Sequence, residues 1–168
     1  MPLLLQLDIA LLSASVAVSA ALLIVALGTG LQRDVNRWFT LFIAMVLTWT
    51  VTMLVMRLAL WFGYGSPLLL GEIAVFSYAF MGPFLLSFTA RYTGVSRRWP
   101  DALAMAAFGI VGLTGFPLFA HRLFTDPRLL PNGTMVLKVS GGGMVASAVP
   151  LACMAVSLSL FWIRRRAI

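Results

Sequence analysis

Two charged side chains stand inside long apolar runs, Arg57 in the stretch LVMRLALW and Glu72 in LLLGEIAVF. An ionised group in hydrocarbon is expensive, so such residues pair with one another or face a polar cavity, and they mark proton, ion or ligand sites. Arg57 lies four residues before Trp61 and Glu72 five residues after Pro67, which on helices is about 6 Å and about 7.5 Å from the nearer end. The matching depths predict an ion pair between Arg57 and Glu72 that staples two neighbouring helices. Joined by Asp8, and by His121 and Arg122 from a later loop, the same pair would form a polar site open to one side, able to detect a proton, an ion or a small ligand.

Other chemistries lack their residues. The chain holds one His and one Cys, whereas a b-type haem takes two axial His and an iron–sulfur cluster four Cys. A lone His is also a poor start for a metal site, and a single Cys forms no internal disulfide. There is no Gly-rich phosphate loop before a Lys, no His-Glu-x-x-His and no carboxylate pair at depth. Gly28-Thr29-Gly30 reads as a helix stop and Cys153 as a buried, inert thiol. The expectation is a non-enzyme with no catalytic residues, no metal and no intrinsic cofactor, carrying bound lipid only.

The elements that position these residues follow from composition. Of 168 residues, 61% are hydrophobic and 10% charged, with a mean hydropathy of +1.00, a balance that a water-soluble fold cannot cover with polar surface. Five runs are long enough to cross a hydrocarbon core of about 30 Å, which takes roughly 20 residues. They predict an all-α, polytopic membrane helical bundle in a single transmembrane domain, with helices at about 9–31, 38–62, 67–90, 102–120 and 140–163. Val18-Ser19-Ala20 imitates a signal-peptidase site, but no basic segment precedes it and the apolar run continues to Leu27, so no cleavage is expected.

Cationic residues accumulate on the cytoplasmic side. Arg33, Arg37, Arg91, Arg97, Arg98, Arg164, Arg165 and Arg166 fall on one side, against Arg122, Arg128 and Lys138 on the other. That asymmetry predicts an outside N-terminus, an inside C-terminus and an external loop between helices four and five. Trp38, Trp99 and Trp162 then mark the inner boundary, Trp61 and Tyr64 the outer one. The net charge of +7 reads as this bias together with contact to anionic lipid headgroups, not as a nucleic-acid surface.

Small residues at helical spacing mark where membrane helices approach closely. Ser13, Ala17 and Ala21 form one such stripe, Ala106, Gly109 and Gly112 a second, Gly143 and Ser147 a third. Each serves packing within the bundle or contact with a partner chain. Pro83 and Pro150 lie well inside helices three and five and predict kinks. Asn132-Gly133, between two short apolar runs in the external loop, predicts a short outer β-hairpin between helices four and five.

Gly82-Pro83, the exit Phe88-Thr89-Ala90-Arg91-Tyr92-Thr93-Gly94, Phe116-Pro117, His121 and Gly133 together resemble the N-terminal seven-transmembrane sensor region of bacterial and archaeal histidine kinases. The likeness spans roughly Leu22 to Gly143 and is carried mainly by hydropathy. It implies a membrane-embedded signal-input module in a bacterial or archaeal cytoplasmic membrane. Helices six and seven and the kinase are not among these 168 residues, so it implies no phosphotransfer. Two function classes follow: a sensory or regulatory module that biases a membrane partner through helix contacts, and an accessory subunit that stabilises a larger respiratory or photosynthetic complex. Reporter fusions after Arg98 and after Asn132 will give cytoplasmic and external signals respectively; the reverse pattern refutes the orientation.

Overall fold

A computed structural model of the chain describes residues 3–64, 68–94, 98–115, 124–129, 135–139 and 141–166. Five helices, α1 (Leu3–Gly28), α2 (Asp34–Phe62), α3 (Leu68–Thr93), α4 (Arg98–Gly115) and α5 (Gly141–Arg166), carry the fold. Two strands, β1 (Phe124–Leu129) and β2 (Met135–Val139), stand between α4 and α5. Four segments, 3–28, 34–62, 69–93 and 147–165, are long and apolar enough to cross a membrane. The fifth expected span overlaps α4, whose 18 residues measure about 27 Å; residues 116–120 of that span lie outside the described residues.

The helices outrun the apolar runs that announced them. α1 starts at Leu3, not Ile9, and α2 at Asp34, not Trp38, because helical hydrogen bonding continues through polar residues at the ends. Asp34 in the first turn of α2 also complements the helix dipole. Stops are sharper. Gly63 takes φ +72 and its N–H closes on the Ala59 carbonyl, a left-handed cap that a residue with a Cβ adopts only at a cost.

α3 is the centre of the bundle, packing on α2, α4 and α5, while α1 packs mainly on α2. Half of the α3 span is buried, against 11% of α1. The tightest point is the crossing of α3 and α5. A Cβ placed on Gly82 would collide with the Pro150 Cα and lie 3.0 Å from the Cys153 Cβ. Gly82-Pro83 and Pro150 therefore meet each other, and both prolines are buried within continuous helices. Beside this crossing Leu86, Ala104, Ala107, Cys153 and Leu160 form the core shared by α3, α4 and α5.

An aromatic ladder runs along α3 at steps of four: Phe76, Phe80, Phe84, Phe88 and Tyr92. Each step of four turns about 40° around a helix of 3.6 residues per turn, so the ladder winds past successive neighbours. Phe84 meets Phe108 of α4 at 5.0 Å and Trp38 of α2 at 5.9 Å. Lower down, Phe88 meets Phe39 of α2 at 5.2 Å and Tyr92 meets Phe161 of α5 at 5.8 Å. Trp38, expected at a headgroup boundary, is thus a packing residue of the bundle. Most of the buried hydroxyls with a described partner are satisfied locally, whereas the fully buried Thr89 hydroxyl has no partner among the described residues. Thr40, Thr50, Thr52, Ser77, Thr93 and Ser157 each donate to the carbonyl four residues back, which removes an unmet polar group from an apolar environment.

β1 and β2 pair antiparallel, Phe124 opposite Val139 and Leu129 opposite Met135. The register breaks between Thr125 and Arg128, where Pro127 cannot donate to the ladder. β1 lies against α3 and α2, and β2 against α5. The connecting residues Asn132 and Gly133 lie outside the described residues. The pair of strands marks one end of the bundle, shared with the start of α1, the end of α2 and the start of α3; the opposite end carries Arg91, Arg98, Arg164 and Arg165.

Gly82→Ala should lower thermal stability in detergent by about 1–3 kcal/mol, the usual cost of overpacking, because the opposing atom is backbone and cannot rotate away. Gly109→Leu, whose added Cβ meets nothing within 4 Å, should not lower the melting temperature of the isolated chain.

Candidate functional site

The earlier start of α1 puts Asp8 inside a helix. Counted from the helix ends at Leu3 and Phe62, Asp8 and Arg57 each lie five residues in, about 7.5 Å along the axis. Glu72 lies four residues in from Leu68 on α3, about 6 Å. All three stand at the end of the bundle that the strands mark. Asp8 also falls on the face that α1 turns to α2: Leu5, Ser19 and Ala26 are buried, and Asp8, Leu12, Ser15, Val16 and Leu23 are half-buried between them. These positions follow the alternating three- and four-residue steps of a helix–helix seam.

Arg57 donates from Nε to Oδ2 of Asp8. The ion pair of Arg57 therefore joins α1 to α2, where the sequence predicts Glu72 of α3 as its partner. Asp8, expected beside the pair as a further member of the polar site, is itself the partner, brought to the depth of Arg57 by the earlier start of α1. Glu72 is buried, 6% exposed, and has an interaction of its own. The Arg57 side chain is 13% exposed and that of Asp8 38%, so the pair is open on the Asp8 side. Nη1 of Arg57 is fully buried and has no acceptor. A guanidinium presents five N–H donors, and leaving one of them unmet in a buried position is costly. The arrangement can therefore accept one more hydrogen-bond acceptor, such as water, a carboxylate or a phosphate oxygen, at a joint between two helices.

His121 and Arg122, the other predicted members of the polar site, lie outside the described residues. Among the described residues no three His, Cys, Asp or Glu side chains gather as a metal site requires.

The predicted packing stripes on α1 and α4 face away from the bundle. Ser13, Ala17 and Ala21 are exposed, as are Ala106, Gly109 and Gly112, and a Cβ on either glycine would meet open space. Other small residues do the internal packing: Ser19 and Ala26 on α1, Ala104 and Ala107 on α4. Ser147 is half-buried on α5 with an interaction of its own, and Gly143 lies in the first turn of that helix.

A second polar joint, at the arginine-rich end, was not predicted. Arg91 Nη1 donates to Asp101 Oδ1 at 3.0 Å and to the Ser87 carbonyl at 3.1 Å, and its guanidinium lies 4.7 Å from the Trp38 ring centre. One side chain thereby ties α2, α3 and α4. Arg164 donates to the Tyr92 carbonyl and lies over the Tyr92 ring, closing α5 onto α3. The available signal was a cation in the last turn of one helix and an acid in the first turn of the next, signs that suit both helix dipoles.

Comparison with protein-family models, with curated proteins and with solved structures gives no match.

Asp8→Ala and Arg57→Ala should each lower thermal stability in detergent by about 1–2 kcal/mol, the range for polar contacts between membrane helices. The double variant should lose less than the sum, because each single change leaves its partner uncompensated. Strictly additive losses in this cycle would show that the two side chains do not interact.

Proposed function

We propose that the chain is a non-catalytic integral membrane protein that works through helix contacts with a partner chain, and that it is a sensory or regulatory module. The arginine and lysine distribution favours an orientation with the Asp8–Arg57 joint on the outer side, at the same end as the strands, and the basic end in the cytoplasm. The observation that carries the reading is the buried Arg57 donor without an acceptor, at a joint where α1 packs mainly on α2. An acceptor ligand or a proton arriving there would change the balance between Asp8 and Arg57. It would thereby alter how α1 seats on α2, and α1 offers Ser13, Ala17 and Ala21 outward to a partner. Input and output then lie on one helix. The resemblance to kinase input regions supports the same class, in a bacterial or archaeal cytoplasmic membrane.

A second reading, an accessory subunit of a larger respiratory or photosynthetic complex, draws on the two outward small-residue faces. They lie on α1 and α4, which are separated by α2 and α3, and a subunit set between two neighbours needs two such faces. Purification from native membranes in mild detergent separates the readings. A regulatory module will associate substoichiometrically, and Asp8→Asn will change the amount of partner bound. Constant stoichiometry with one complex, indifferent to Asp8→Asn, assigns the accessory role.

A further inference from the structure

Between α4 and α5 runs an apolar groove of about 230 Å³. Its floor is the buried pair Ala107 and Cys153, and small, exposed Ala106 and Ala152 leave it open along its length. The two helices are antiparallel, so Leu103 and Val156 bound one end, and Ile110 and Val149 the other. Seven residues on each helix separate those ends, about 10 Å along the axis. The slot runs with the helices, in the direction of a lipid tail. A partner helix about 10 Å across would call for a broader and shallower face.

What stands at the mouth decides the headgroup. Continuing the same register toward the arginine-rich end brings Arg98 level with Phe161, and Arg164 and Arg165 follow within the next turn of α5. Arg98 and Arg165 are exposed and have no carboxylate partner among the described residues. Arg164 donates to the Tyr92 carbonyl, which holds its guanidinium on the α3 side of the mouth. Trp99 and Trp162, both about half exposed, flank the same level as amphipathic rings at a headgroup boundary do.

We propose that this groove holds one acyl chain of an anionic phospholipid whose headgroup lies at the arginine-rich end, at the level of Arg98 and Arg164. An aliphatic slot accepts a tail; at that end Asp101 is already paired with Arg91, and the exposed arginines there outnumber the acids and favour a negative headgroup. The site is independent of the Asp8–Arg57 joint, which lies at the other end of the bundle.

The test uses the full chain reconstituted with equal amounts of dioleoyl phosphatidylglycerol and dioleoyl phosphatidylcholine, then released into mild detergent for native mass spectrometry. The wild type should retain one phosphatidylglycerol in preference to phosphatidylcholine. Ala106→Phe with Ala152→Phe, substitutions at the open rim, should cut retention severalfold while keeping the melting temperature; Ala152→Val gives a graded version should the double variant misfold. Arg98→Gln with Arg164→Gln should leave tail binding in place and lower the preference for phosphatidylglycerol by about fivefold for each arginine removed. Retention unchanged by filling the groove overturns the proposal, as does equal retention of the two lipids by the wild type. Displacement of a stoichiometric protein chain by the filled variants also overturns it and assigns the groove to a partner helix.

Discussion

The absence of a side chain at Gly82 lets the backbones of α3 and α5 touch, and the bundle is arranged around that contact. Between membrane helices burial of apolar surface gives no net drive, since lipid tails are equally apolar, so close packing and polar links must do the work. At Gly82 the opposing group is the Pro150 backbone itself, a point fixed in both helices. With α3 held to α5 there, the remaining faces of α3 are free to receive α2 and α4. The Phe76 to Tyr92 ladder fills those faces as it winds around the helix. The two prolines fit the same logic. A proline in a helix leaves a backbone acceptor unmet, and placing both at one crossing confines that defect to the most tightly packed part of the molecule.

Polar links complete the bundle at its two ends, and they do so unequally. At the arginine-rich end Arg91 is shared among an acid, a backbone carbonyl and an aromatic ring drawn from three helices, and Arg164 adds a further tie. Several partners for one cation make that end redundant. At the opposite end Asp8 and Arg57 add a polar link to the α1–α2 seam, with the Asp8 side partly open and one Arg57 donor unmet.

Four of the five expected spans and the order of the helices were legible because hydropathy over about 20 residues is a strong signal, and Arg57 and Glu72 were legible as polar residues inside long apolar runs for the same reason. The partner of Arg57 was not. Apolar runs mark where a helix meets lipid, but the helix itself begins earlier, and an error of six residues at Leu3 moved Asp8 from a helix seam to a tail. The small-residue stripes failed differently. Small residues populate both faces of α1 and α4, so spacing alone cannot tell Ala104 and Ala107, which are buried, from Ala106 and Gly109, which are not. Gly82-Pro83 was visible as a motif, but its meaning depends on Pro150, 67 residues later, and no local pattern announces a contact at that range.

The outward faces follow from the same economy. A bundle whose central helix already contacts three neighbours has no internal place left for the Ser13–Ala17–Ala21 stripe or for Gly109 and Gly112, and lipid alone does not require residues that small. Aliphatic side chains such as Leu or Ile fill the lipid-facing surface equally well, as Leu4, Leu11, Ile24 and Leu113 do here. Glycine in a helix interior costs roughly 1 kcal/mol relative to alanine in conformational freedom. Gly109 and Gly112 bear that cost on α4 without any internal contact in return, and a backbone that another helix or a lipid chain can approach closely is the gain that offsets it. The α4–α5 groove lies along the same helix. The surfaces that the bundle leaves unused internally are thus the ones shaped for something outside it, which is the strongest physical reason to look for this protein's action at its perimeter.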